Sequence, residues 1–163
     1  MELEKVMLSR KSCREYKDVQ VEDEKLEKVV TAGSLTPLGL PKMCTPVLTV
    51  VTDKAVLKTL EGIYDAPALI IVSCPPAPEF TPGLDHQNAG CVVEMMALQA
   101  TELGLGNIYL YGVTAKIAAD AEKMKALGIP EGYYPLAALA VGYGAEEVSV
   151  CKEFAPKLKV NKI

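Results

Sequence analysis

The sequence predicts a layered sheet protein of the α/β or α+β class, and three observations predict it. Apolar runs of strand length, at 47–52, 68–73, 108–111 and 136–141, alternate with segments of helical spacing. Ala68 to Val72 has no polar position at all, which marks a strand covered on both faces. The segment 88–103 is apolar nearly all round, so it reads as a helix buried on several sides, one of which is read as a second subunit.

Each element has a local cause. Leu3, Val6, Met7 and Arg10 recur at helical spacing, giving a short first helix. From Glu22, Leu26, Val29, Val30 and Gly33 repeat the same pattern behind an acidic first turn. Thr36-Pro37-Leu38-Gly39-Leu40-Pro41 stops that helix. Val47–Thr52 is a short β-branched strand, Lys54–Leu60 a brief helix, and Ala68–Ser73 the buried strand. Four prolines between Cys74 and Gly83 make a surface loop. The apolar helix then runs to Leu103, with Asp85 or Asn88 as candidate N-cap and Gly104-Leu105-Gly106 as its C-cap turn. Ile108–Tyr111 is a third strand, Ala115–Leu127 an amphipathic helix ending at Gly128, and Leu136–Val141 a fourth strand. The tail from Ala145 is basic and aperiodic. With no internal repeat, residues 1–163 read as one domain.

Composition narrows the function. At 163 residues a chain can bury roughly 70% of its surface, enough for its own core. Half the residues are hydrophobic and 23% charged, the ordinary globular balance. Seventeen basic against twenty-one acidic residues give a net charge of −4, which argues against a nucleic-acid partner. Two Phe, seven Tyr and no Trp leave few stacking surfaces. Five widely spaced cysteines without a CxxC pair indicate neither a zinc site nor a disulfide framework; most sit in apolar company as small hydrophobes. Met1–Lys5 leads into charged residues, not an apolar signal core, and no apolar run is long enough to span a membrane. A cytoplasmic protein is expected.

Most familiar motifs are absent. Gly104-Leu105-Gly106 lies between a helix and a following strand, the reverse of the dinucleotide-binding order, and Tyr109 stands where the third glycine belongs. His86 is the only histidine, so a His-rich metal site is excluded; it reads as an exposed residue at a helix entrance. Glu22, Asp23, Glu24 and Glu27 read as a solvated helix face. No catalytic acid, base, nucleophile or metal ligand is assigned. The exception is Arg10-Lys11-Ser12-Cys13-Arg14, three cations and a hydroxyl within five residues of an acidic protein. That combination suits a phosphate monoester. The competing reading is a solvated basic turn paired with neighbouring acids.

Five segments in register resemble the nitroreductase family of FMN-dependent oxidoreductases. Arg10-Lys11-Ser12-Cys13-Arg14-Glu15-Tyr16 is similar to the family's RRSxRxF/Y pattern. Val21 to Gly33 is similar to V-S-D-E-x-L-E-K-I-L-x-A-A, and Ala66 to Val72 to the APV-x-I-V-V strand. Glu102-Leu103-Gly104-Leu105-Gly106 matches ELGLG, and Leu127 to Pro135, continuing to Gly142-Tyr143, resembles LGIPEGYxPVAxLxxGY.

The resemblance implies an α+β fold with a central, mostly antiparallel sheet flanked by helices, in an intertwined homodimer. It implies FMN as cofactor and NAD(P)H as electron donor. Hydride would pass through flavin N5 to a small electrophilic acceptor of nitroaromatic or quinone type, in ping-pong order. Carried over residue by residue, Arg10 and Ser12 look like phosphate contacts, with Lys11 in support. Arg14 looks like the cation at the flavin N1/O2 edge, and Tyr111-Gly112 like the main chain that approaches N5. Thr36, Pro37 and Leu38 fall in the loop that supplies polar flavin contacts, partly across the dimer, and Lys152 falls near the family's last phosphate-binding cation. The departures lie in that loop. Leu38, Pro41 and Met43 stand where the family has Ser, Asn and Gln, and the family's tryptophan is missing. The stretch between the second and third strands also lacks the helical excursion that often covers the cofactor. This leaves a second reading, a dimer that binds flavin or another small ligand without reductase turnover.

Overall fold

The computed structural model describes residues 2–148 and 158–162. In chain order the elements are α1 (Leu3–Ser9), α2 (Asp23–Ser34), β1 (Val47–Val51), α3 (Lys54–Leu57) and β2 (Ala68–Cys74). They continue with α4 (Leu84–Glu102), β3 (Gly106–Leu110), α5 (Gly112–Ala118), α6 (Ala121–Ala126) and β4 (Tyr134–Gly142). The strands form one sheet in the order β1-β2-β4-β3, every neighbouring pair antiparallel. This decides between the two classes: the fold is α+β. Among the described residues no helix is long and apolar enough to cross a membrane.

The unbroken apolar run of β2 follows from its place in the centre of the sheet. Ala68, Ile70, Val72 and Cys74 pack with Val29 of α2 and Val92, Val93 and Met96 of α4 on one face. Leu69 and Ile71 pack on the other face with Leu57, Ile108, Val113 and Ile117. All seven residues of β2 are buried. Each large side chain so covered is worth about 1.5–3 kcal/mol of transfer free energy.

Two helices differ from the expectation. α4 begins a turn earlier, at Leu84, behind Gly83 with φ +83, so neither Asp85 nor Asn88 is its N-cap. Its far end is as read: Gly104, φ +76, closes the helix with Leu105 N–H donating to the Ala100 carbonyl and Gly104 N–H to that of Thr101. The single helix expected over 115–127 is two, α5 and α6. Asp120 separates them, because its carboxylate accepts from the Lys123 N–H at 3.0 Å and starts a new helix.

α4 is also less enclosed than its composition suggested. Cys91 is exposed and Met95 is 37% exposed, while neighbouring α1 leaves Leu3 and Met7 more than half exposed. Cysteine is therefore not uniformly a core residue here: Cys44 and Cys74 are buried, Cys13 is half-buried, and Cys91 is open. Burial, with Cys44 and Asp85 nearby, pushes the Cys74 thiol up to about 12, and burial raises Cys44 as well. Both thiols thus stay protonated at pH 8. A thiol reagent at that pH is expected to label Cys91 well before Cys44 or Cys74, read by peptide mapping. Faster modification of Cys74 would contradict the packing of β2.

Candidate functional site

The basic segment is placed by the end of α1. Arg10 leaves that helix in an extended conformation, so the following residues run out alongside the sheet. Ser12 forms a parallel bridge with Asn107 at the start of β3, and Cys13 N–H donates to the Asn107 carbonyl at 2.9 Å. Further on, Tyr16 bridges Gly144 beyond the end of β4, and Lys17 N–H donates to the Tyr143 carbonyl at 2.8 Å. Cys13 turns inward, against Gly106 and Gly144, while Ser12 and Arg14 are exposed. Burial holds the Tyr16 phenol well above its ordinary pKa. It stays a neutral donor, 3.2 Å from the Cys13 carbonyl, and braces the segment from below. Lys11 turns to Glu146, Nζ to Oε2 2.6 Å. This contact holds the Glu146 carboxyl below the usual carboxylate range.

Tyr111 and Gly112 follow the last residue of β3, where the chain turns into α5. Tyr111 is 63% exposed. A Cβ built on Gly112 meets nothing within 4 Å, so a flat group has room to lie against the main chain there. From Asn107, the partner of Ser12, to Tyr111 is about 13 Å along an extended strand. The cations and the glycine thus stand at the two ends of one edge strand.

Thr36, Pro37 and Leu38 lie elsewhere. They leave the C-terminus of α2, where Gly33 packs against Val92 and Met96 of α4. The loop they begin feeds β1 at Val47, which pairs with Ser73 at the opposite end of the sheet from Gly106 and Gly142. Those ends are about 20 Å apart by the length of β2. Leu38 packs against the core on the α4 side. Thr36 is 7% exposed, and its hydroxyl has no hydrogen-bond partner. Lys152 lies outside the described residues.

Sequence reasoning missed two buried amides. Asn88, 3% exposed, accepts from Gly39 N–H at 2.9 Å and donates to the carbonyls of Gly39 and Cys44, each at 3.0 Å. Asn107, 1% exposed, donates to the Ala97 carbonyl at 3.2 Å and to the Thr101 hydroxyl at 3.0 Å, fastening β3 to α4. For Asn107 the available signal was a lone Asn in an apolar strand; its Nδ2 finds partners while its Oδ1 is buried without one. His86 is exposed at the helix entrance and pairs with Asp85, Nδ1 to Oδ1 3.0 Å. A cleft of about 320 Å³ lies beside α3, between Tyr16, Lys54, Leu57 and Pro67, and none of Arg10, Ser12, Arg14 or Gly112 lines it.

The family model described as "Nitroreductase family" matches residues 41–143, well over half of the chain. The chain belongs to the nitroreductase family. A nitroreductase with bound FMN from Desulfitobacterium hafniense superposes with a TM-score of 0.83 at 25% identity, over 100% of this chain and 98% of that one. An FMN-dependent nitroreductase from Clostridium difficile has a TM-score of 0.75 at 28% identity, over 97% and 98% of the two chains. A protein of Archaeoglobus fulgidus, named for an inferred NADH dehydrogenase/NAD(P)H nitroreductase activity, is 28% identical over 155 residues, covering 88% of this chain and 86% of its own. The likeness to these solved structures thus extends beyond the segment that the family model matches.

Proposed function

We infer that the protein is an FMN-dependent oxidoreductase that takes electrons from NAD(P)H. The observation that carries this reading is the edge strand β3, with Arg10–Arg14 fastened at its start and Tyr111-Gly112 at its end. The residues fit the cofactor. The Arg10 guanidinium and the Ser12 hydroxyl suit a phosphate, the open space at Gly112 suits a flat ring, and the buried Thr36 hydroxyl lacks a partner. Bound FMN would supply hydride transfer from NAD(P)H to a small nitroaromatic or quinone-type acceptor, in ping-pong order.

This chain's residues bind and orient. Arg10 and Ser12 would hold the phosphate, with Lys152 as a further candidate. Lys11, already paired with Glu146, contributes charge. Arg14, exposed two residues beyond Ser12, would place its cation at the edge of the ring. The Gly112 main chain would approach the ring from the end of β3. The loop of Thr36, Pro37 and Leu38 feeds β1, the edge strand opposite β3 and about 14 Å across the sheet from it, so it does not share the β3 edge within one chain. A homodimer that offers the partner's loop removes that difficulty. The exposed Leu3, Met7 and Met95 on the neighbouring helices α1 and α4 support this assembly. In it the single domain would extend its tail, from about residue 145, to the partner. The cytoplasm is the compartment that suits free thiols and NAD(P)H.

The test is the absorbance of the purified protein, followed by anaerobic addition of NADH and of NADPH. A flavin spectrum that bleaches on addition, then returns with menadione, is expected. A bound flavin that neither donor bleaches would leave the second reading, flavin binding without turnover. That reading draws on Leu38, Pro41 and Met43 in the loop.

A further inference from the structure

We propose that Asn88 is a positioning residue of the flavin site, fixing the turn from Gly39 to Cys44 so that its main chain faces the cofactor across the homodimer. The proposal rests on the FMN reading above. Leu38 is turned into the core, and Pro41 and Met43 bring no hydrogen-bonding side chain, so the loop's polar resources are chiefly its peptide groups. Peptide groups recognise a ligand only when the main chain is held in advance. Asn88 does this from one point. Its Oδ1 accepts from Gly39 N–H, and its Nδ2 donates to the Gly39 and Cys44 carbonyls, closing the turn at both ends.

Two further observations make the turn more than packing. Leu40 sits at φ +47, a left-handed conformation that costs a non-glycine residue roughly 1–3 kcal/mol and persists only where the surroundings impose it. The Thr36 hydroxyl, buried and without a partner, lies at the head of the same loop. The α4 backbone does not depend on the Asn88 side chain, which spends its bonds on the loop.

The test is Asn88→Asp, nearly isosteric, followed across pH 5.5 to 8. The neutral acid keeps the acceptor for Gly39 N–H and one donor. The ionised acid sets its charge against two carbonyl oxygens, and burial there raises its pKa above the ordinary carboxylate range. FMN affinity of the variant, measured by fluorescence quenching, is expected to fall at least tenfold more than that of the wild type between those pH values. Without FMN, trypsin at pH 8 is expected to cut after the exposed Lys42 in the variant and to spare the wild type. Near-wild-type affinity at pH 5.5 shows that the variant folds. Equal pH profiles, or equal resistance at Lys42, would overturn the proposal. Failure of the wild type to bind FMN at any pH would overturn the FMN reading itself, and the positioning role with it.

Discussion

Arg10→Ala is expected to weaken FMN binding roughly 10- to 100-fold while leaving riboflavin binding unchanged. Riboflavin lacks the phosphate, so the pair separates loss of a phosphate contact from general damage. The magnitude is that of one charge-assisted hydrogen bond, about 1.5–3 kcal/mol. Arg10→Lys keeps the charge but not the planar fork, so it should recover only part of the loss. The measurement is flavin fluorescence quenching on apoprotein at fixed ionic strength, since exposed charges are screened by salt. Equal weakening of FMN and riboflavin would move Arg10 from the phosphate to a role in folding.

Gly142→Ala is expected to destabilise the protein by about 1–3 kcal/mol, the usual cost of overpacking. A Cβ at this position would lie 2.5 Å from Pro67 Cδ and 2.8 Å from Tyr16 Cδ1. Both belong to rings, which cannot swing aside as the tip of a long side chain can. For a chain of this size the melting temperature should fall by about 2–4 °C per kcal/mol. The effect reaches the site because Tyr16 is the brace beneath Cys13, between Ser12 and Arg14. FMN binding should therefore weaken in the same variant, although residue 142 is no candidate ligand contact. Unchanged thermal stability, read by differential scanning calorimetry, would contradict the close approach of Gly142 to Tyr16 and Pro67.

Much of the architecture was legible because burial writes itself into composition. The run Ala68–Val72 could only be a strand with both faces covered, and β2 is one. Leu26, Val29 and Gly33 could only be the inner stripe of a helix, and α2 buries them. What escaped were choices made by single polar groups. Asp120 cuts one amphipathic pattern into two helices, and periodicity cannot see a capping carboxylate. Gly83 starts α4 early, so Asn88 falls inside the helix and its amide is free to fasten the loop. Strand pairing was hidden from periodicity, and only the resemblance to the nitroreductase family pointed to the antiparallel sheet observed. Helices between successive strands permit a parallel or an antiparallel sheet, and only the order β1-β2-β4-β3 decides. In the candidate site, the basic cluster of residues 10–14 could be seen in the sequence as charge against an acidic background. Its distance from Thr36–Leu38 could not, because separation across a sheet leaves no trace in spacing.

FMN bound along β3, with its phosphate at Arg10 and Ser12 and its ring between Arg14 and Gly112, is what the whole reading turns on. It is tested most directly by titrating wild-type apoprotein with FMN and with riboflavin under the same conditions. One FMN per chain is expected, bound at least tenfold more tightly than riboflavin. Equal affinity for the two, or no uptake of FMN, would contradict it.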